Sequence, residues 1–323
     1  MVKLDEIKDS IGEHFENYER ILSDFIKSEV PLLDKIFEYL NKDKGKQVRP
    51  MLVILSAAVS GTVKDSTYRA AAMVELLHTA SLLHDDVVDN SRERRGGNTV
   101  NATWNNKIAI LTGDYLVSKG MLLGIKNNDI NIIPFFIRAG YEMSEGELLQ
   151  LEKSLLMDIT EDVYFEIIRK KTGSLMGACC AAGSTSGGAD NNIVNMLYEF
   201  GENVGIAFQI KDDILDYEKN INAGKPSGTD IKEQKFTLPL IYMLNNISPI
   251  ERDNILNVLK SKKSEKIEKV IDIVNNSDGI AYSKRQIEHY QNKALNILEK
   301  YFENNEYRQL LEELVLYNTV RYH

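Results

Sequence analysis

The stretch YRAAAMVELLHTASLLHDDVVD, residues 68–89, decides the fold class. Met73, Leu76, Leu77, Ala80, Leu83 and Val87 recur at spacings of three and four, the period of one buried helical face. The helix leads from an apolar interior into Asp85, Asp86 and Asp89. In the pattern DDxxD the first and last carboxylates stand four residues apart and share a face. Acids crowded in this way repel one another, so the cluster calls for a cation or a compensating ligand.

A second segment repeats the design. In MLYEFGENVGIAFQIKDDILDYEK (196–219), Leu197, Phe200, Val204, Phe208 and Leu215 follow helical spacing, and Asp212, Asp213 and Asp216 form a second DDxxD. Breaker clusters are short: NKDKGK (41–46), KNND (126–129), STSGGADNN (184–192), NAGKPSGTD (222–230) and NNSDG (275–279). These separate helices rather than domains, and no solenoid repeat is present. The sequence therefore predicts one all-α domain over residues 1–323, a single-domain helical bundle with its loops at one mouth.

Composition excludes several functions. The 323 residues carry a net charge of −9 and a pI near 5.3, against the basic surface that nucleic acid or anionic lipid requires. The N-terminal MVKLDEIKDSIGEHFENYER has acids where a signal peptide would be apolar, and no uninterrupted apolar run approaches a span of about 20 residues. A cytoplasmic protein that does not span a membrane is expected. Cys179 and Cys180, adjacent in LMGACCAAG, read as small buried helix residues rather than as a disulfide or zinc motif.

The acids suit Mg²⁺, which prefers octahedral oxygen coordination and takes one or two carboxylates beside phosphate oxygens. Two such helices facing each other would clamp a diphosphate. The basic residues Arg94, Arg95, Lys46 and Arg49, and later Lys171, Lys225 and Lys235, match a polyanion. His84 beside Asp85 evokes the HD pair of metal-dependent phosphohydrolases, but five histidines are few for such a site, and the paired acids and cations explain more. No Ser/His/Asp or Cys/His arrangement supplies a nucleophile.

In order, GKQVRP, HTASLLHDDVVDNSRERRG, TGDYL, GELLQ, KKTGSL, GIAFQIKDDILD and GKPSGTDIKEQKFTLPL, spanning residues 45–240, resemble the trans-isoprenyl diphosphate synthases, or polyprenyl synthetases. The resemblance implies the isoprenoid synthase type I fold, helices around a deep central cavity, in a homodimer. It also implies Mg²⁺-dependent prenyl transfer, with three ions per site once substrate is bound. Asp85, Asp89 and Asp212 would be direct ligands, with Asp86, Asp213 and Asp216 supporting. Arg94, Lys171, Gln209, Lys225 and Lys235 would hold the allylic diphosphate, and Lys46, Arg49, His78 and Arg95 isopentenyl diphosphate. Thr172 and Gln209 would steady the allylic cation through their oxygens.

Ala80 and Ser81 stand five and four residues before Asp85, about one turn deeper along the helix, and their small side chains leave room for a growing tail. In the family an aromatic residue at either position tends to give short products, so a medium- or long-chain all-trans polyprenyl diphosphate is expected, for quinone side chains. Leu77 or Val74, deeper on a similar face, would form the floor. Two further readings compete: the catalytic subunit of a heteromeric synthase, and a class I terpene cyclase, against which the second DDxxD and the isopentenyl diphosphate cations weigh.

Overall fold

Proline placement shows how the chain divides. Pro31, Pro134, Pro239 and Pro249 each occupy the first or second position of a helix, and Pro50 the first turn of another, where the missing N–H costs nothing. The computed structural model describes residues 4–43, 45–217, 229–261 and 264–320. Lys225 lies outside the described residues.

The chain opens with α1 (Leu4–Ser10), α2 (Gly12–Ile26), α3 (Pro31–Leu40), α4 (Val48–Ser60) and α5 (Asp65–Val88). A hairpin of Glu93–Arg94 and Gly97–Asn98 follows, then α6 (Val100–Thr103), α7 (Asn106–Lys126) and α8 (Ile133–Leu156). Next come α9 (Glu161–Ile168), a single π-helical turn (Arg169–Gly173), α10 (Ser174–Gly187) and α11 (Asn191–Leu215). The chain continues through α12 (Thr229–Lys232), α13 (Leu238–Asn245), α14 (Pro249–Lys260), α15 (Ser264–Asn275), α16 (Gly279–Tyr301) and α17 (Glu306–Val320). The all-α expectation holds, apart from the hairpin.

Local capping fixes several starts. Asn105 accepts from the Ile108 N–H at 2.9 Å, Asp190 from Asn192 and Ile193, and Ser248 and Glu251 form a capping box at α14. The main core joins α4, α5, α10 and α11 around Met51, Leu55, Val74, Cys179, Cys180 and Phe200. Both cysteines are free thiols buried in α10, as the sequence suggests. Two glycines set the spacing here: a methyl on Gly183 would collide with the Val53 carbonyl of α4, and one on Gly201 with the Met176 carbonyl of α10.

Acids of α8 grip the π turn. Buried Glu142 accepts from Arg138 at 2.8 Å and from Arg169 at 3.1 Å, while Lys170 pairs with Glu145 at 2.8 Å and Glu166 at 2.9 Å. π turns are rare and concentrate at functional sites, and this one holds Lys171 and Thr172.

Among the described residues α7 alone is long and apolar enough to cross a membrane, although Asp114 and Lys119 interrupt its apolar run. It packs along α5, with Gly113 leaving room for the His84 ring and Gly120 facing Leu76.

Candidate active site

Both aspartate motifs close their helices. Asp89 is the C-terminal cap of α5 and Asp216 that of α11, so six carboxyls gather where two helix dipoles are already negative. Burial pushes the Asp85 carboxyl up to about 6; Lys171 pulls it down while Glu147 and Asp89 raise it. Asp213 rises to about 8, from burial first and the nearby Asp230 second, although hydrogen bonds from Gln209 and Tyr164 lower it. Both shifts arise from burial and from neighbouring acids, the two costs that a bound cation would offset.

The cations stand opposite. A cavity of about 970 Å³ is lined by Lys46, Arg49, His78, Arg94 and Arg95, and Asp86 and Asp212 open onto it from the two motifs. Arg49 donates from Nη1 to His78 Nε2 at 3.0 Å. Arginine has no acceptor, so His78 accepts at Nε2 and is the neutral tautomer with its proton on Nδ1. Burial lowers the His78 pKa well below the usual range, and Arg49, Arg95 and Arg94 lower it further. That agrees with a binding role and not with acid-base work.

The hairpin delivers two of these cations. Arg95 and Gly96 form its two-residue turn, both with positive φ (53° and 80°), as a type I′ turn requires. Arg94 is tied back to buried Asp86 at 2.8 Å. A side chain at Gly45 would strike the Arg95 guanidinium, so the Lys46 loop lies directly beneath the hairpin. Gln47, φ 50°, opens α4 two residues before Arg49. Left-handed backbone at Arg95 and Gln47 is strain held beside the cation cluster.

The second half of the site is wired by hydrogen bonds. Thr172 donates from Oγ1 to Gln209 Oε1 at 2.7 Å, Gln209 donates to Asp213 at 2.9 Å, and the Tyr164 hydroxyl donates to the other Asp213 oxygen at 2.7 Å. Asp213 therefore faces inward, while the Asp230 N–H donates to Asp216 at 3.2 Å. Lys171 pairs with Glu147 and donates to Gln150 at 3.1 Å. Lys235 pairs with Asp89 at 3.3 Å and Glu233 at 2.8 Å; burial alone would lower its pKa, but these acids raise it. Tyr164, Glu147, Gln150, Glu233 and Asp230 carry no sequence signature of their own; all but Glu233, which pairs with Lys235 two residues on, act between elements distant in sequence.

Asp85, Asp89, Lys171, Thr172, Gln209 and Lys235 stand beyond the lining of this cavity, in the acid-rich half beside it. His84 turns away from it, near the Ile110 carbonyl (3.2 Å) and Asp114 (3.3 Å) of α7, which removes the phosphohydrolase pairing. Val74 and Ala80 are fully buried, Leu77 nearly so, and half-buried Ser81 donates to the His78 carbonyl at 2.8 Å. Leu77 faces Gly140 of α8, whereas Ala80 belongs to the core cluster that holds Ile36, Phe37 and Leu116.

The donors fit magnesium. They are carboxylate oxygens without thiols, and among the described residues no three His, Cys, Asp or Glu side chains close on one point. A self-sufficient protein cage is thus absent there, as suits an ion that keeps its waters and shares phosphate oxygens.

The polyprenyl synthetase family matches residues 30–276. An all-trans-nonaprenyl-diphosphate synthase (geranyl-diphosphate specific) from Rhodobacter capsulatus is 36% identical over 311 residues, covering 94% of each chain. Heptaprenyl diphosphate synthase component 2 from Geobacillus stearothermophilus is 33% identical and covers 98% of each. The crystal structure of a polyprenyl synthase from Caulobacter crescentus, complexed with calcium and isoprenyl diphosphate, superposes with a TM-score of 0.92 at 31% identity, over 99% of this chain and 98% of that one.

Proposed function

This chain belongs to the polyprenyl synthetase family and is a prenyltransferase; from that premise we propose the substrates and the residues that serve them. It condenses isopentenyl diphosphate with an allylic diphosphate (geranyl, farnesyl or geranylgeranyl) to give a medium- or long-chain all-trans polyprenyl diphosphate, for quinone side chains. The observation that carries this reading is a single cavity onto which both acid motifs open and whose other wall is Lys46, Arg49, His78 and Arg95.

Asp85, Asp89 and Asp212 would hold magnesium, with Asp86, Asp213 and Asp216 supporting; calcium and an isoprenyl diphosphate in the Caulobacter crescentus structure support the pairing. When bound, magnesium neutralises charge on the departing diphosphate. Arg94, Lys171, Gln209 and Lys235 hold that diphosphate, and Lys225 joins them by resemblance alone. As the allylic carbon ionises, the arginine and lysines stabilise the leaving group. The Thr172 oxygen keeps its lone pairs for the carbocation, because the hydroxyl proton is committed to Gln209. The double bond of isopentenyl diphosphate attacks, and the proton lost from its C2 passes to the departing diphosphate. The apolar walls exclude water, which would otherwise quench the cation.

The face of α7 and α8 turned away from the core exposes Leu111, Leu122, Ile125, Tyr141, Leu148 and Leu155, an apolar surface of the kind a second copy would cover. A homodimer is the proposed assembly. The component 2 relative favours one second reading, a catalytic chain that needs a partner subunit. Incubating the purified chain with Mg²⁺, farnesyl diphosphate and labelled isopentenyl diphosphate separates them. One dominant long prenol after dephosphorylation supports a self-sufficient synthase, and no elongation from farnesyl or geranyl diphosphate supports the partner-dependent one.

A further inference from the structure

Glu75 lines the cavity one helical turn before His78 and belongs to neither acid motif. A carboxylate facing a pocket built for an anion weakens binding unless it serves some other group. Among the described residues it makes no hydrogen bond and no ion pair within 4.0 Å, and it stands half-buried on the cavity wall. Its charge acts on groups from four other elements, Tyr18 of α2, Arg49 of α4, Arg95 of the hairpin and Cys179 of α10, and His78 follows one turn on in its own helix.

Arg49 is the natural counterpart. Its Nη1 is engaged by His78, but its Nε is buried with no hydrogen-bond partner. A buried, uncommitted N–H and an uncommitted carboxylate of opposite charge thus stand on adjacent helices; the N–H is costly alone, and the carboxylate can satisfy it. Burial raises the Glu75 pKa, and Arg49 and Arg95 draw it back; burial lowers that of Arg49, against which Cys179 and Glu75 both act.

We propose that Glu75 is a positioning residue for the isopentenyl diphosphate half-site, taking the Nε edge of the Arg49 guanidinium so that its Nη edge faces the phosphate oxygens. The guanidinium is a rigid planar fork, so fixing one edge aims the other. This rests on the assignment of Arg49 to isopentenyl diphosphate made above. It also explains why an acid is kept in a cationic pocket: the carboxylate offsets the repulsion between Arg49 and Arg95 before substrate arrives.

Glu75→Gln keeps the shape and removes the charge. The expected result is a KM for isopentenyl diphosphate raised about tenfold, with kcat and the KM for farnesyl diphosphate nearly unchanged. Glu75→Asp, which restores the charge on a shorter arm, should lie between the two. Arg49→Lys is the control. If it raises the isopentenyl diphosphate KM while a folded Glu75→Gln does not, or if Glu75→Gln raises both KM values alike, the positioning role is overturned. An unchanged KM in Arg49→Lys overturns the half-site assignment itself. Should Glu75→Gln fail to fold by circular dichroism, Glu75→Asp carries the same comparison of the two KM values.

Discussion

Asp213 is held between the Tyr164 hydroxyl and the Gln209 amide, and burial followed by Asp230 brings its carboxyl up to about 8, from an ordinary 3.8. The folded chain therefore keeps a proton that the unfolded chain gives up. Stability from this group is fully present below about pH 3.8 and is lost as the pH rises to about 8. In EDTA, the thermal midpoint of the wild type should fall across that window more steeply than that of Asp213→Asn; equal slopes would refute the assignment. Arg95 offers a second test, because it supplies charge and also bears left-handed backbone. Arg95→Gly and Arg95→Ala should raise the KM for isopentenyl diphosphate alike, but the glycine variant should melt higher, since only it relieves the strain. Acids and cations were legible as residues because DDxxD and the basic motifs are local. The clasp of Glu147 and Gln150 on Lys171, some twenty residues apart in sequence, was not.

Helix α5 joins the mouth of the site to its interior in one unbroken rod of 24 residues. Its existence was legible from the period of its apolar face, and its end from the acids. The hairpin and the π turn were not, because two paired residues or one extra residue in a turn scarcely disturb that period. Within α5 the structure separates two positions that the sequence treats alike. Ala80 is fully buried in the same core cluster as Ile36 and Phe37, so Ala80→Phe overpacks a filled site and should cost about 1–3 kcal/mol. Ser81 is half-buried, and Ser81→Phe should keep the fold and shorten the dominant prenol. Thermal melts and chromatography of the dephosphorylated products check both. A shortened product from Ala80→Phe with unchanged stability would show the opposite arrangement.

At the scale of the whole molecule, the exposed apolar residues of α7 and α8 could not be told from core residues in the sequence, since helical periodicity marks an apolar face without saying what covers it. Leu148 is 67% exposed and Leu155 82%, so Leu148→Asp with Leu155→Asp removes apolar area without disturbing the core. Light scattering should show a dimer for the wild type and a shift toward monomer for the double variant; a wild-type monomer would refute the proposed assembly. The π turn has a consequence for comparing chains. It carries one residue more than the α-helical turn it replaces, and removing that residue would rotate everything on one side of it by about 100° relative to the other. A relative lacking the extra residue would present a different side chain to Gln150 even where its letters line up with KKTGSL, so an alignment scored on identity alone can pair the wrong lysine with Lys171.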